Sequence, residues 1–386
     1  MDKLRAWWCH RQGLAGEPAA SAADVLVRTG WMRSVGGSAP YLGLFARAGL
    51  RRAEVDAAVA DLSIHELPSA RGCAYVLPAS DFALGLAVGA GAPAGDLAAA
   101  QKHLGVTAAE IDKLGAAVVD ALADGPLDPA GIKDAVGDLA RSFGDAGRKR
   151  GMSSTLPLAL GLLQARGEIR RVPVNGRLDQ QRYRYTRWSQ PSTVDGDAQV
   201  ELAVRYFRWA APASLKHFRW FSAFSAATAK KVIAELDLVT LQDDLLMPAD
   251  LAAEYADFAP PAQPQYALVA GIDGIHLLHR DLRRLLDPAD ADRQAPGEKP
   301  GKTIGSLADP PCHLIVDRGR IVGLWEFDPE TGTIAYQAFV PVDDDLRAAV
   351  AKVEAYARDD LGDVRSFSLD SVKSRAPRIA DLRNGR

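Results

Sequence analysis

The sequence predicts an α+β protein in which tandem winged helix-turn-helix units precede a β-rich C-terminal domain. Two central segments share one order of elements: a Pro-started short helix, a Ser/Thr-capped second helix and a β-rich return. An earlier stretch repeats that order more weakly, and tandem repetition of so small a motif argues for several units in a row. After the Pro-rich break Phe258–Pro264 the pattern turns to alternating apolar strands.

In chain order, residues 1–95 form a first winged-helix-like unit. Its amphipathic helix spans Arg52–Leu62, and Ile64–Leu77 reads as a two-stranded wing around Ser69–Gly72. Residues 96–123 form a helical connector, with apolar periodicity at Asp96–His103 and Thr107–Leu122. Residues 124–192 form a second winged helix: a Pro-started helix before Val136, a capped helix over Ser153–Arg166, and a basic wing after Gly167. Residues 193–262 form a third, with helices over Ala211–Phe221 and Ser225–Leu236 and a return from Asp237. In 263–386, His313–Phe327 reads as a hairpin around Asp317–Gly319, Thr333–Val340 adds a strand, and Asp343–Leu361 is helical. Residues 287–311 are a long Pro/Gly/Asp-rich loop, and the basic tail is expected to fray.

Composition excludes several classes. With 386 residues, 48% of them hydrophobic, and a mean hydropathy of −0.08, the chain is an ordinary globular one. It has no run of about eighteen apolar residues and no apolar signal core, so the expectation is a cytoplasmic, nucleoid-associated protein without a membrane partner. Cys9, Cys73 and Cys312 are scattered and match no metal spacing, as expected of core residues in a reducing compartment. The Ala/Arg/Gly/Asp-rich usage suggests a GC-rich bacterial gene. A phosphate loop, a GxSxG elbow, an HExxH motif and paired cysteines are all missing, and Gly89–Gly95 follows no strand pattern.

Charge is distributed unevenly. The net charge is only −3, yet residues 141–190 hold eleven Lys/Arg against three Asp/Glu, and 201–231 hold six against one. A basic centre in an acidic chain is the signature of a polyanion-binding surface. Within Gln164–Trp188, seven arginines interleave with two tyrosines and a tryptophan. Arginine forks suit phosphate oxygens and aromatic rings stack on bases, although period-two packing of the aromatics would also explain them. The expected phosphate contacts are Arg148, Lys149, Arg150, Arg166, Arg170, Arg171, Arg182, Arg184 and Arg187, joined by Lys216, Arg219, Lys230 and Lys231. The aromatics of Arg205–Trp209 and Lys216–Phe221 are expected in the core. His276 and His279 stand three apart without a completed ligand set, so no metal is expected. Asp273, in an apolar Gly-flanked setting, is either a helix cap or a carboxylate of raised pKa.

Three stretches together resemble the AlkZ/YcaQ-like winged-helix DNA glycosylases nearly end to end. They are Tyr41–Arg47 with Arg71–Pro78; Arg205–Phe207 with Pro212–Leu215 and Phe218–Ser222; and Asp273–Arg280 with the Val322–Trp325 hairpin. The resemblance implies tandem winged helices clamping duplex DNA in a basic channel, a monomer, no metal or cofactor, and hydrolytic excision of alkylated or crosslinked bases. It also implies a Gln-x-Gln or Gln-x-Asp pair just before Leu44–Arg47 that positions water against an oxocarbenium-like sugar. This chain lacks that pair: no Gln, Asp or Glu occurs between Asp24 and Glu54. Arg33 and Val35, or Ser34 and Gly36, fall at the paired positions, and the only nearby amide is Gln12. Arginine cannot act as a base, whereas Ser34 or Ser38 can hold a water. The catalytic candidates are therefore Asp273, Arg33 and Ser34, and Trp31, Gly36, Gly37 and Tyr41 form the expected lesion-facing loop. The alternative is a winged-helix regulator or accessory protein that binds DNA without catalysis.

Overall fold

The computed structural model describes residues 1–179, 182–191 and 193–385. Gln180, Gln181, Ser192 and Arg386 lie outside the described residues, so the centre of the Gln164–Trp188 stretch is known only on either side of the glutamines. Helices and strands mix throughout, and the described strands fall into four antiparallel sheets.

In the first part, β1 (Met32–Arg33), β2 (Ile64–Pro68) and β3 (Ala74–Pro78) form a sheet in the order β1-β3-β2. Helices Ala22–Thr29, Ala39–Ala48 and Arg52–Ala60 pack around it. Ser21 starts the first by accepting from the Asp24 amide, and Pro40 fits the first turn of the second, where its missing N–H costs nothing. The turn expected around Ser69–Gly72 is present between β2 and β3. The stretch Ala79–Leu104 is long and apolar enough to cross a membrane, with a mean hydropathy of 1.4, a feature the expectation from sequence does not include. A turn at Ala90–Gly91 splits it, and Phe82, Leu84 and Leu86 are buried in the core.

The order helix, helix, hairpin appears twice in the centre. Thr107 opens helix Ala108–Ala121 with a capping box shared with Glu110, and Asp128 caps helix Pro129–Val136, with Pro129 at its first position. Helix Leu156–Ala165 differs from expectation, because Thr155 stands at its N-cap without accepting a backbone N–H. Strands β4 (Ile169–Pro173) and β5 (Tyr183–Arg187) then pair from Ile169↔Arg187 to Pro173↔Tyr183.

The second copy also departs in one detail. The sequence places the start of its first helix at Pro212, but Pro212 follows a cis peptide and leads into β6 (Ala213–Ser214). Helix Leu215–Ser222 begins three residues later, where Ser214 and His217 form a capping box. Ser225 caps helix Ala226–Ile233 as expected, worth about 1 kcal/mol. Strands β7 (Leu238–Thr240) and β8 (Leu245–Pro248) close a β6-β8-β7 sheet.

In the last part, β9 (Tyr266–Val269), β10 (His313–Asp317), β11 (Arg320–Asp328) and β12 (Thr333–Ala338) form a meander-like sheet in the order β12-β11-β10-β9. The turn falls at Arg318-Gly319, as read from the sequence. The long 287–311 segment holds helix Pro288–Ala291 and a 3₁₀ turn at Ile304–Ser306, pinned by buried Ala291, Ala295 and Ile304. The tail does not fray. It forms helix Val372–Asn384 against β11 and β12, because its cations meet acids there. Arg378 bonds Glu326 at 2.8 Å and Asp370 at 2.9 Å, Arg383 bonds Asp328 at 2.7 Å, and the buried Arg375 reaches the Val364 carbonyl at 2.6 Å.

The cores cross the linear divisions. Trp7 and Trp8 of helix Asp2–Arg11 are buried with β10 and β11, and their indole N–H groups bond the Ala211 and Pro212 carbonyls. A second cluster joins Trp31, Tyr75 and Phe82 to Tyr206, Phe207, Trp209, Phe218 and Phe221, the aromatics expected in the core. Residues 100–163 supply most of a cluster completed by Ile169 and Tyr185.

Candidate active site and nucleic-acid interface

The loop between helices Ala22–Thr29 and Ala39–Ala48 is held on every side. Trp31 is a core residue, 4% exposed, whose indole donates to Asp81 at 2.8 Å and whose ring lies 5.5 Å from that of Trp209. Tyr41 is fully buried, donates to Asp56 and accepts the Leu178 amide at 3.0 Å. Neither ring faces outward, so the stacking or wedging expected of them does not match their placement. Gly36 and Gly37 are buried as well. A Cβ on Gly37 would sit 2.5 Å from the Arg365 carbonyl oxygen, and Ser38 N–H donates to that same oxygen at 2.8 Å. The close approach that these glycines permit is therefore made by residues 365–368 of the chain itself.

Arg33 and Ser34 leave the end of β1 on opposite faces of the sheet. Arg33 lies 5.5 Å over the Tyr75 ring and donates to the Ala74 carbonyl at 2.8 Å. Ser34, 2% exposed, donates its hydroxyl to Oε2 of Glu66 on β2. Sequence reading missed Glu66, which stands 32 residues from Ser34 and reaches it through the β1-β3-β2 order. The available signal was a carboxylate on the expected wing strand at the same parity as Ile64, and so on the same face. Burial pushes the Glu66 carboxyl above its ordinary pKa, against the Ser34 hydroxyl and the Arg171 and Arg33 guanidiniums, which lower it. Its neighbour His65 faces the other side, near Phe82 and Trp188. Burial and nearby Arg170 hold it neutral, with a pKa of about 3.

Asp273 is a helix cap and half of a buried ion pair. Its oxygens accept from Arg47 Nη1 and Nη2 at 2.8 and 2.7 Å, and Oδ1 also takes the Ile275 amide at 3.0 Å. Both side chains are 2% exposed, so no oxygen is left to face a substrate. Gln12 is buried too, donating to the Thr29 and Trp209 carbonyls. His279 bonds the Ala210 carbonyl through Nε2 at 2.8 Å, and His276 approaches Asp309 at 3.6 Å. Among the described residues no group of three His, Cys, Asp or Glu side chains could hold a metal.

The thirteen expected phosphate contacts divide into two sets. Arg166 faces Asp112 and Glu168, Arg148 pairs with Asp145, and Arg187 donates to the Val119 carbonyl at 2.6 Å. Arg170 is half-buried, and Arg171 stacks 4.9 Å over Tyr183 with Glu66 at 4.0 Å. The wing is thus docked on β2 along one edge, and its tip inserts buried Leu178 into the core under Tyr41. Lys149, Arg150, Arg182, Arg184, Lys216, Arg219, Lys230 and Lys231 are exposed, with no acidic partner among the described residues. Lys216 and Arg219 stand one turn apart on helix Leu215–Ser222, and Lys230 and Lys231 end the next helix. Beside them, Arg71 of the β2–β3 turn and Arg280 lie 4.6 and 4.7 Å over the Trp220 ring. A wider cleft behind Thr29 carries Arg28, Arg205 and Arg208, but Asp24, Asp81 and Asp250 neutralise them.

Comparison with known proteins adds to this geometry. A family model described as DNA glycosylase AlkZ-like matches residues 26–358. Among solved structures, Streptomyces sahachiroi DNA glycosylase AlkZ superposes with a TM-score of 0.70 at 22% identity, covering 92% of this chain and 96% of that one. No curated protein matches the sequence.

Proposed function

The chain belongs to the AlkZ-like DNA glycosylase family, a DNA-repair glycosylase type, and on that premise we propose that it excises alkylated or crosslinked purines from duplex DNA by hydrolysis. In this reading the helix–helix–hairpin orders are winged helices in the units 1–95, 124–192 and 193–262, joined by 96–123 and followed by 263–386. The protein works as a monomer in the bacterial cytoplasm at the nucleoid.

The observation that carries the reading is a concentration of eight exposed cations within residues 149–231 that have no acidic partner among the described residues, whereas most arginines elsewhere are matched by acids. Unmatched cations repel one another and gain most when phosphates neutralise them. Lys149, Arg150, Arg182, Arg184, Lys216, Arg219, Lys230 and Lys231 grip the backbone. Arg166, Arg170, Arg171 and Arg187 hold the fold around them. Arg33 and Ser34 sit at the site where relatives are expected to keep their paired residues, and Asp273 supports it through Arg47.

Two measurements test this. Affinity for a duplex falls steeply with salt, and incubation with duplex carrying N7-methylguanine, N3-methyladenine or an interstrand crosslink gives abasic product, read as alkali-induced strand cleavage. Tight, salt-dependent binding with every lesion left intact would favour the non-catalytic binder. A flat salt dependence would refute both readings.

A further inference from the structure

A glycosylase without the expected Gln-x-Gln or Gln-x-Asp pair still needs a group that takes a proton from water beside a cationic sugar. The first sheet supplies one. Glu66 on β2 lies across β3 from the residues that fall at those paired positions, and Ser34 fixes its Oε2. Its other oxygen, Oε1, takes no hydrogen bond among the described residues, and the nearest cation, Arg171, stands at 4.0 Å. The carboxylate faces a narrow pocket walled by Val59, Arg171, Pro173, Leu178 and Tyr183, with room for about one water molecule. Asp273, a carboxylate buried for structure, is tied at both oxygens to Arg47, whereas Glu66, 8% exposed, keeps one oxygen free.

We propose that Glu66 is the catalytic base of this protein, with Ser34 orienting its carboxylate and Arg171 and Tyr183 walling the one-water pocket beside it. The proposal rests on the excision reading above. Water oxygen attacks C1′ of the deoxyribose while the C1′–N bond breaks. The bonding pair leaves with the base, which departs neutral if it was an N-alkylated cation, and the water proton passes to Oε1. The products are an abasic sugar and a free base. Until the proton arrives, the carboxylate charge also stabilises the oxocarbenium-like carbon. The charged and titratable groups facing Glu66 are Arg33 from β1, Arg171 from β4 and Tyr183 from β5. The raised proton affinity that burial gives Glu66 suits a base working near neutrality.

The test uses the full chain and a duplex with one N7-methylguanine under single-turnover conditions. Glu66→Gln is expected to lower the excision rate by about 10²–10⁴-fold, with duplex affinity unchanged within about twofold. Ser34→Ala removes a hydrogen bond that lowers the Glu66 pKa, so the acid limb of its pH–rate profile moves to higher pH. A merely structural role for Ser34 would leave that limb in place. A Glu66→Gln protein that excises within about threefold of the parent, or a Ser34→Ala profile with an unmoved acid limb, overturns the assignment. A parent protein that binds the duplex yet never forms abasic product overturns the excision reading itself, and this assignment with it.

Discussion

Removing the Asp273 carboxylate isolates its structural part from any chemical one. Arg47 makes four hydrogen bonds: Nε to the Gln12 carbonyl at 2.7 Å, Nη1 to the Gly43 carbonyl at 3.1 Å, and the pair to Asp273 at 2.7 and 2.8 Å. Asp273→Ala strands a guanidinium that is 2% exposed, and breaking such a pair from one side costs about 3–5 kcal/mol. Loss of the cap on Ile275 adds about 1 kcal/mol. Asp273→Asn keeps the cap and one acceptor, so it should lose only about 2–3 kcal/mol. The double variant Arg47→Met/Asp273→Leu removes both charges and fills the space, and it is expected to recover at least half of the alanine loss. Urea unfolding followed by circular dichroism reads all three. An alanine variant within about 1 kcal/mol of the parent, or a double variant as unstable as the sum of its singles, would refute the reasoning. Excision per folded molecule by Asp273→Asn should stay within about threefold of the parent. A hundredfold loss in a folded protein would return Asp273 to the chemistry.

Three other outcomes follow from the structure. Burial holds His65, His279 and His313 near a pKa of about 3 and His217 near about 4, so each is neutral in the fold and protonated in the unfolded chain below about 6.5. Depressed folded pKa values of this kind give stability that is present above 6.5 and lost as pH falls. Glu326, raised by burial to about 7, binds its proton first in the fold and offsets one of the four. The loss from these five groups is about 4 kcal/mol per pH unit between about 6.5 and 4.5, reduced by the raised Glu66 carboxyl, and a far-ultraviolet signal unchanged at pH 4 would contradict it. Replacing Lys216, Arg219, Lys230 and Lys231 together with alanine should reduce the slope of log affinity against log salt by about 0.9 for each phosphate no longer neutralised; an unchanged slope removes that face from the interface. Gly37→Ala pushes a Cβ against the Arg365 carbonyl and should cost about 1–3 kcal/mol. Hydrogen exchange at residues 365–368 should rise with it, and parental protection there would count against the close packing.

What was legible in the sequence was what neighbours in sequence decide. The Ser225 cap, the Thr107–Leu122 helix and the turn at Arg318-Gly319 depend on residues a few positions apart, and they stand as expected. What was not legible depends on remote partners. Trp31 and Tyr41 read as free loop aromatics because Asp81, Trp209 and Leu178, which bury them, lie 50, 178 and 137 positions away. The tail read as frayed because the acids that order it, Glu326 and Asp328, belong to β11. Glu66 was illegible for the same reason: it is remote in sequence from Leu44–Arg47, and strand pairing brings its carboxylate in from beyond the next helix. The charge count was sound as a sum, but it could not separate arginines spent on the fold from those left for a ligand.

The strap of residues 365–368 over the Val35–Ser38 loop sets an order of assembly. Arg365 N–H reaches Ser38 Oγ across 327 residues of chain, and Ser368 N–H bonds the Val35 carbonyl. At synthesis rates of about 5–20 residues per second that interval lasts about 15–65 seconds, during which the loop has left the ribosome and its cover has not been made. A nascent chain therefore carries an unfinished N-terminal half for most of its translation. A message broken anywhere before the codon for Asp363 would show its damage at the opposite end of the protein.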